Sequence, residues 1–254
     1  MVPNPYGAEF FSQIRAGSLR SARAVLPTVI ELIKPQSLVD VGCGTGAWCA
    51  AALQLGVQVV LGIDGEYVDR SALEIPADCF LMRNLQEPLR LERKFDLVVS
   101  LEVAEHLPAS CAEGFVDSLT RLGPVVLFSA AIPHQGGSHH VNEQWPDYWA
   151  GLFSSHGFEP VDCIRERIWN HPDVDVWYAQ NTLLFVEREF LLNLPALHAY
   201  SSDDRPLCLV HPRLYLAKIQ AADLGLQSVR PLVRALVQAT GRSLRLRAGH
   251  LFRH

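Results

Sequence analysis

The sequence lacks paired cysteines, long apolar runs and a strong excess of either charge. Six cysteines are scattered along 254 residues without a Cys-x-x-Cys pair, so neither a zinc cluster nor a redox motif is indicated. No apolar run approaches the roughly 18 residues of a membrane span. A net charge of -5 gives no overall attraction to nucleic acid or an acidic membrane. The first residues also lack the basic stretch and apolar run of an export signal, so we expect a cytoplasmic protein without a membrane span.

The first two thirds of the chain alternate between apolar runs and helix-like segments. The apolar runs cover residues 38–41, 57–63, 79–82, 95–101 and 125–129, and the helix-like segments cover 47–55, 67–73 and 112–122. Continuous apolar strands alternating with helices predict an α/β protein with a parallel sheet covered on both faces. Two later strand candidates, 160–168 and 182–187, are separated only by a loop. We therefore expect them to pair antiparallel at one edge of the sheet.

Three regions are predicted from this pattern: a helical lead-in (1–36), a core (37–189) and a helical extension (190–254). The extension is basic, because the stretch from Arg205 to His254 holds nine Lys and Arg residues and one acid, a net of about +8 before histidines. A helix predicted at 214–240 carries Leu and Val at helix spacing. We expect a solvated basic helix. Other roles for this helix stay open: it could pack on the core, dock a partner enzyme, form a homodimer or contact an acidic surface.

The strongest motif is a strand that ends in a glycine-rich turn and opens a helix, at residues 39–48. Glycines let the backbone come within contact distance of a ligand. Gly42 and Gly44 fit a relaxed dinucleotide-binding pattern, and Asp64 lies about twenty residues on, where an acid holds ribose hydroxyls. Asp40 argues against a dinucleotide as the cofactor, because a dinucleotide-binding strand is normally apolar at that position.

Read as D-x-G-x-G-x-G, the turn resembles motif I of the class I S-adenosylmethionine-dependent methyltransferases, and the resemblance continues in order over residues 37–187. It implies a doubly wound Rossmann-like sheet, mostly parallel with one antiparallel edge strand, and S-adenosyl-L-methionine as cofactor. The cofactor-binding residues implied are Asp40, Gly42, Gly44, Gly46, Asp64, Asn84, Leu85 and Glu102. The glycines would cradle the methionine end, Asp64 the ribose hydroxyls, and Asn84 and Leu85 the adenine. Asp40 either braces the loop or contacts the methionine moiety. The family often has Asp where this chain has Asn84, whose amide still offers an acceptor.

Two histidine-bearing segments follow the fourth and fifth strands, where catalytic residues of this fold face the cofactor. The first, Glu102 to His106, places Glu102, Glu105 and His106 on neighbouring faces of a helical turn; the second, 138–145, contains His140. Together they are similar to the Glu-x-x-Glu-His and downstream His of small-RNA 2′-O-methyltransferases, which hold a divalent metal. That likeness implies a metal such as magnesium on Glu102, Glu105, His106 and His140. Metal-free methyltransferases are similar here too. Two alternatives to a metal site therefore stay open. In one, Glu105, His106 and His140 act without a metal as a base or as groups that orient the substrate. In the other, the histidines are purely structural.

The stretch 132–149 is similar to a bacterial group of methyltransferases that decorate saccharides and secondary metabolites, and so is the segment 177–181. This likeness implies O-methylation of a small-molecule or saccharide acceptor. We expect Trp145, Trp149 and Trp177 to lie in the core rather than in the pocket.

Three alternatives to O-methylation of a small-molecule or saccharide acceptor remain. The first is transfer to nitrogen, carbon or a carboxylate on the same fold. The second is RNA ribose methylation, against which an acidic core without interleaved basic and aromatic residues argues. The third is a non-catalytic cofactor-binding scaffold whose tail docks a glycosyltransferase.

Overall fold

A seven-stranded sheet lies at the centre of the computed structural model, which describes residues 8–200 and 206–227, with side chains described from 17 to 200 and from 206 to 222. The strands are β1 (Ser37–Val41), β2 (Val59–Asp64), β3 (Phe80–Met82), β4 (Leu97–Leu101), β5 (Val125–Ser129), β6 (Phe158–Val161) and β7 (Leu183–Glu187). Their order is β3-β2-β1-β4-β5-β7-β6. Strands β1 to β5 are parallel, and β7 runs antiparallel to both β5 and β6. The predicted doubly wound α/β sheet with antiparallel pairing at one edge is confirmed.

Helices cover the sheet in the positions that the sequence pattern indicates. They are α1 (Ala8–Ile33), α2 (Ala47–Gln54), α3 (Ala112–Leu122), α4 (Pro146–Ser155), α5 (Arg165–Ile168), α6 (Val176–Asn181), α7 (Arg188–Leu191) and α8 (Pro212–Gln227). Helix α1 packs on α2 through apolar residues at helix spacing, and Val25, Leu26 and Val29 are fully buried. The predicted helix over 67–73 is wrong, because only Arg70–Ala72 form a single 3₁₀ turn, which the Asp69 side chain caps.

The three central strands are buried on both faces, which is why they read as continuous apolar runs. Every residue of β1, β4 and β5 is buried. Alternate side chains enter two separate apolar clusters: Leu38 and Leu97 join one, and Val39 and Val98 join the other. Truncating such a side chain to alanine typically costs about 2–5 kcal/mol. A rigid sheet of this kind fixes the ends of its strands, and the functional residues follow those ends.

The strand predicted at 160–168 ends at Val161, and the connection to β7 contains α5 and α6 rather than a loop alone. A buried cation explains the difference. The Arg165 side chain is almost fully buried, and its guanidinium donates to Asp162 (2.6 Å) and to the carbonyls of Gln180 (3.3 Å) and Leu207 (2.7 Å). A buried guanidinium requires partners on several sides. The helical turn folds Arg165 back toward Asp162, which an extended strand would not do.

The chain divides into two compact units, residues 1–211 and residues 212–254. The first unit includes Leu191 and Leu197, which are buried in its core. The second unit begins with α8, and the part of the predicted helix beyond residue 227 lies outside the described residues. The three predicted regions, with boundaries at 36 and 189, stay predictions. Within the described ranges, no helix is both long enough and apolar enough to cross a bilayer.

Candidate active site

A cavity of about 1000 Å³ lies at the carboxyl ends of β1, β2, β3 and β4. It is lined by every site residue predicted from the sequence except Gly46: Asp40, Gly42, Gly44, Asp64, Asn84, Leu85, Glu102, Glu105, His106 and His140. The carboxyl ends of neighbouring parallel strands meet at one edge of the sheet, which explains why residues far apart in the sequence share one chamber. Tyr67, Trp48 and Tyr178 also line it.

The glycine turn between β1 and α2 uses its three glycines for different purposes. All three have positive φ: +87° at Gly42, +55° at Gly44 and +92° at Gly46. A Cβ on Gly42 would lie 2.3 Å from Val103, and one on Gly46 would lie 2.9 Å from Ile75. A Cβ on Gly44 would meet no atom within 4 Å and would project into free space. Gly42 and Gly46 are therefore required by packing, whereas Gly44 leaves room for a ligand.

Asp64, at the end of β2, is held by the glycine turn. Its Oδ2 accepts a hydrogen bond from the Gly44 amide (2.6 Å), and its Oδ1 accepts from the Gly65 amide (2.7 Å) and the Tyr67 hydroxyl. Burial raises the pKa of Asp64 more than these hydrogen bonds lower it. The Tyr67 hydroxyl donates to the carboxylate as a sugar hydroxyl would. This arrangement fits the ribose-holding role that the sequence resemblance implies.

Asp40 is the acid inside β1, and it lines the cavity. The residue is buried, and its Oδ2 has no hydrogen-bond partner. Burial and the charge of Asp64 raise the pKa of Asp40 well above its usual range. A cationic group in the adjoining cavity would compensate a charge there.

The two residues expected at the adenine lie in the turn after β3. The exposed Asn84 accepts from the Gln86 amide (3.1 Å) and donates to Glu87 (3.1 Å), so its side chain is occupied within the turn. Leu85 is buried and gives the cavity an apolar wall.

Glu102 follows β4 with a left-handed backbone, φ +55°, which is unusual for a residue with a side chain. Its carboxylate accepts from Gln135 (2.9 Å) and Asn181 (3.1 Å). Burial nevertheless raises the pKa of Glu102. Sequence reasoning missed Gln135 and Asn181 as partners of Glu102. The available signal was an amide pair, Gln180 and Asn181, immediately before an apolar strand, since buried amides need hydrogen-bond partners.

Glu105, His106 and His140 form a cluster in the cavity, in which one potential ligand atom from each lies within 4.8 Å of the others. Glu102 lies outside this set of three. Glu105 is fully buried, and neither carboxylate oxygen has a hydrogen-bond partner of good geometry. Burial and the charge of Glu102 raise the pKa of Glu105 well above its usual range. The imidazole rings of His106 and His140 meet edge to face at 4.8 Å, and burial, with a contribution from His140, lowers the pKa of His106 to about 4.

The loop between β5 and α4 delivers His140 to the cavity. The Glu105 carbonyl accepts from the Val141 amide (2.9 Å) and the Asn142 amide (3.0 Å), which fixes this loop against the segment after β4. His140 Nδ1 lies 2.8 Å from Glu143. Sequence reasoning did not identify Glu143 as the partner of His140, and the only signal for that pairing was its position three residues after a histidine.

The three tryptophans expected in the core separate into two groups. Trp149 is buried and contacts Phe128, as expected. Trp145 and Trp177 are 42% and 37% exposed, so the expectation is wrong for both. Trp177 lines the cavity from the start of α6, and Trp145 precedes Pro146 at the start of α4.

Residues 12–158 match a family model described as a methyltransferase domain. This chain belongs to that family. The match covers the glycine turn, Asp64 and the segment after β4, so the resemblance to S-adenosylmethionine-dependent methyltransferases is confirmed. The cavity, Gly44 and the Asp64 carboxylate fit the cofactor of such a domain.

The chain is also similar to named methyltransferases over part of their length. It is 27% identical over 166 residues to protein arginine N-methyltransferase 1 of Dictyostelium discoideum, a match over 58% of this chain and 46% of that protein. It is 35% identical over 75 residues to the ubiquinone biosynthesis O-methyltransferase of Rhodopseudomonas palustris, which covers 28% of this chain and 29% of the relative. These matches span less than half of each relative.

Solved structures with low sequence identity share the fold. Streptomyces venezuelae DesVI superposes with a TM-score of 0.53 at 14% identity, over 70% of this chain and 97% of that one. An O-methyltransferase family protein from Burkholderia thailandensis gives 0.51 at 14% identity, over 72% of this chain and 60% of that one. At this identity the likeness concerns the fold alone.

Proposed function

We propose that the methyltransferase domain transfers a methyl group from S-adenosylmethionine to a hydroxyl oxygen of a small or oligomeric hydroxylated acceptor, of saccharide or secondary-metabolite type. The observation that carries this proposal is the shared cavity: the Glu105, His106 and His140 cluster lines the same chamber as Gly44 and Asp64. The Rhodopseudomonas palustris relative, described as an O-methyltransferase, adds support.

When bound, S-adenosylmethionine supplies a methyl group activated by a sulfonium. The chain's own residues then have two tasks, which are to align the acceptor oxygen and to receive its proton. Alignment is worth effective concentrations on the order of 10⁵ M or more. Asp64 and the Gly44 backbone hold the cofactor end, and the histidine cluster holds the acceptor end.

Of the two histidines, His106 bears on the second task because its ring is uncharged near neutral pH. With its pKa lowered to about 4 by burial and by His140, His106 is neutral at pH 7 and can accept a proton. A positioned general base contributes about 10² to 10⁴ in rate. Trp177 adds an aromatic face on which a sugar ring could stack.

The test is turnover of labelled S-adenosylmethionine with a panel of hydroxylated acceptors, followed by His106→Asn and His140→Asn. Each variant is expected to lower kcat about 10² to 10⁴-fold while the affinity for S-adenosylhomocysteine is unchanged. His156→Asn, at a histidine outside the cavity lining, serves as the matched control and should retain full turnover. Methylation of amines alone would contradict the proposal and favour N-methylation, the activity named for the Dictyostelium discoideum relative.

A divalent metal on the same cluster is a second candidate, favoured by the two unpartnered, fully buried oxygens of Glu105. One carboxylate and two imidazoles are a donor set that binds such ions. Glu105, His106 and His140 would hold the metal, with Glu102 beside them as the family likeness implies, and it would make a neighbouring hydroxyl more acidic. Turnover that is abolished by a chelator and restored by Mg²⁺ or Mn²⁺ would support this candidate. Turnover unaffected by the chelator would leave the metal-free base.

Other outcomes separate the remaining alternatives. A salt-sensitive gel shift with RNA would favour ribose methylation, against which the net charge of -5 argues. Binding of S-adenosylhomocysteine without turnover on any acceptor would favour a non-catalytic scaffold whose basic extension docks a partner enzyme or a second copy. A cytoplasmic location stays a prediction.

A further inference from the structure

One carboxylate organises the loop that carries His140. Glu143 Oε1 lies 2.8 Å from His140 Nδ1 and accepts from the Gly136 amide at 2.7 Å. Its Oε2 accepts from the His134 amide at 2.7 Å. Three groups therefore converge on the Glu143 side chain, from three positions of the loop between β5 and α4.

The contact between Glu143 and His140 determines which ring nitrogen of His140 carries the proton. The Glu143 carboxylate accepts from two backbone amides, those of Gly136 and His134, as an ionised carboxylate does. An ionised carboxylate accepts and cannot donate, so Nδ1 must carry the hydrogen of the contact. In the neutral ring, the lone pair is then on Nε2.

The backbone around His140 is built to leave room for Nε2. A Cβ on Gly137 would lie 2.2 Å from that nitrogen, so only glycine permits the ring to take this orientation. The ring itself lines the cavity and packs edge to face on His106. The loop thus fixes both the position and the rotation of the imidazole.

We propose that Glu143 is a positioning residue that holds His140 in the Nδ1–H tautomer and so presents Nε2 as the atom that accepts the proton of the acceptor hydroxyl. The proposal rests on the proposed function for the identity of the acceptor. The tautomer itself is a property of the protein alone, and it can be measured without turnover.

The decisive comparison is between Glu143→Gln and Glu113→Gln, a neutralised exposed glutamate at the start of α3. The amide nitrogen that Glu143→Gln introduces can donate to Nδ1 and move the ring hydrogen to Nε2. Imidazole ¹⁵N shifts of His140 in the full chain with S-adenosylhomocysteine should therefore show the Nδ1–H tautomer in wild type and in Glu113→Gln. They should show a shift toward Nε2–H in Glu143→Gln.

The kinetic expectation for Glu143→Gln is a loss of about 10- to 100-fold in kcat. The affinity for S-adenosylhomocysteine should be unchanged, because Glu143 lies outside the cofactor-binding set. Glu143→Asp, which retains a carboxylate, should restore part of the kcat and the Nδ1–H tautomer.

Two results would overturn the proposal. One is an Nε2–H tautomer of His140 in the wild-type protein, which needs no variant to fold. The other is an unchanged Nδ1–H tautomer together with unchanged kcat in Glu143→Gln. Failure of the proposed function would look different, since no hydroxylated acceptor would be methylated while the His140 tautomer followed the expectation.

Discussion

The two halves of the cavity satisfy their buried carboxylates in different ways. On the cofactor side, Asp64 accepts two backbone amides and one hydroxyl, so the glycine turn itself fixes it. On the side that we propose for the acceptor, side-chain amides fix Glu102, and Glu105 is left with two oxygens that have no hydrogen-bond partner of good geometry. Backbone contacts do not change when side chains are substituted, so the first half of the cavity suits a ligand that stays the same. The second half is built from side chains and an unsatisfied acid, so substitutions there can change which ligand it binds.

The largest effect should come from removing the carboxylate of the cofactor side. Asp64→Ala is expected to weaken S-adenosylhomocysteine binding about 100-fold, roughly 2.7 kcal/mol, because hydrogen bonds to a charged group are the strong ones. Isothermal titration calorimetry measures the loss, with Asp78→Ala, an exposed acid, as the control. Unchanged affinity in Asp64→Ala would remove the distinction between the two halves.

A glycine pair tests whether the turn makes room for a ligand. Gly44 (φ +55°) and Gly56 (φ +95°) both have no atom within 4 Å of a Cβ, but only Gly44 lines the cavity. Gly44→Ala and Gly56→Ala should each destabilise the fold by about 1–2 kcal/mol through backbone strain. Only Gly44→Ala should weaken S-adenosylhomocysteine binding, by about 10-fold or more, since its methyl group occupies ligand space. Equal affinities would show that Gly44 serves the backbone alone.

In the second half of the cavity, Glu102→Gln should destabilise the fold by about 2 kcal/mol. The new amide group would point its hydrogens at Gln135 or Asn181, whose side-chain amides donate hydrogen bonds to the native carboxylate. Gln135 cannot reverse its amide without loss, since its oxygen already accepts from Asn181 (2.9 Å) and the Ile132 amide (3.3 Å). Urea denaturation gives the difference, with Glu113→Gln as control. A stability equal to that of wild type would mean that this amide network is freely rearranged.

Asp40 predicts a pH dependence of stability. Its folded-state pKa is raised by burial and by the charge of Asp64, so the stability contributed by the protonated form is present below the unfolded value of about 3.8 and lost as pH rises above it. Relative to Asp40→Asn, wild type should lose up to about 1.4 kcal/mol per pH unit in that window. Urea denaturation of both proteins without ligand, from about pH 4 upward, checks the slope. Parallel pH profiles would contradict the expectation.

The smallest stability effect is expected for Glu105→Gln. Burial and Glu102 raise the pKa of Glu105 well above its usual range, so the folded protein favours the protonated, uncharged carboxyl, which the amide resembles in shape and charge. The change in unfolding free energy should be less than about 1 kcal/mol, while kcat falls if the cluster acts in catalysis. A large loss of stability in thermal denaturation would show that Glu105 is a structural anion.

The sequence predicts the cofactor side better than the acceptor side for a physical reason. The glycine turn and Asp64 lie at the ends of adjacent strands, so strand order alone brings them together. The partners of Glu102 come from the loop after β5 and from α6, and no local pattern encodes that meeting. The same holds for Arg165, whose buried contacts with Gln180 and Leu207 replaced the predicted strand by a helical turn.

The double hydrogen bond that the Glu105 carbonyl accepts from Val141 and Asn142 bears on how molecules enter and leave the chamber. Glu105 lines the cavity and also holds the 141–142 segment through its carbonyl. An outward movement of that segment would therefore break these hydrogen bonds and disrupt the cluster of Glu105, His106 and His140. Ligands are therefore expected to enter and leave the cavity past the partly exposed lining residues Tyr67, Met82 and Trp177. Product release past these residues is then expected to depend on rotation of their side chains rather than on movement of the loop.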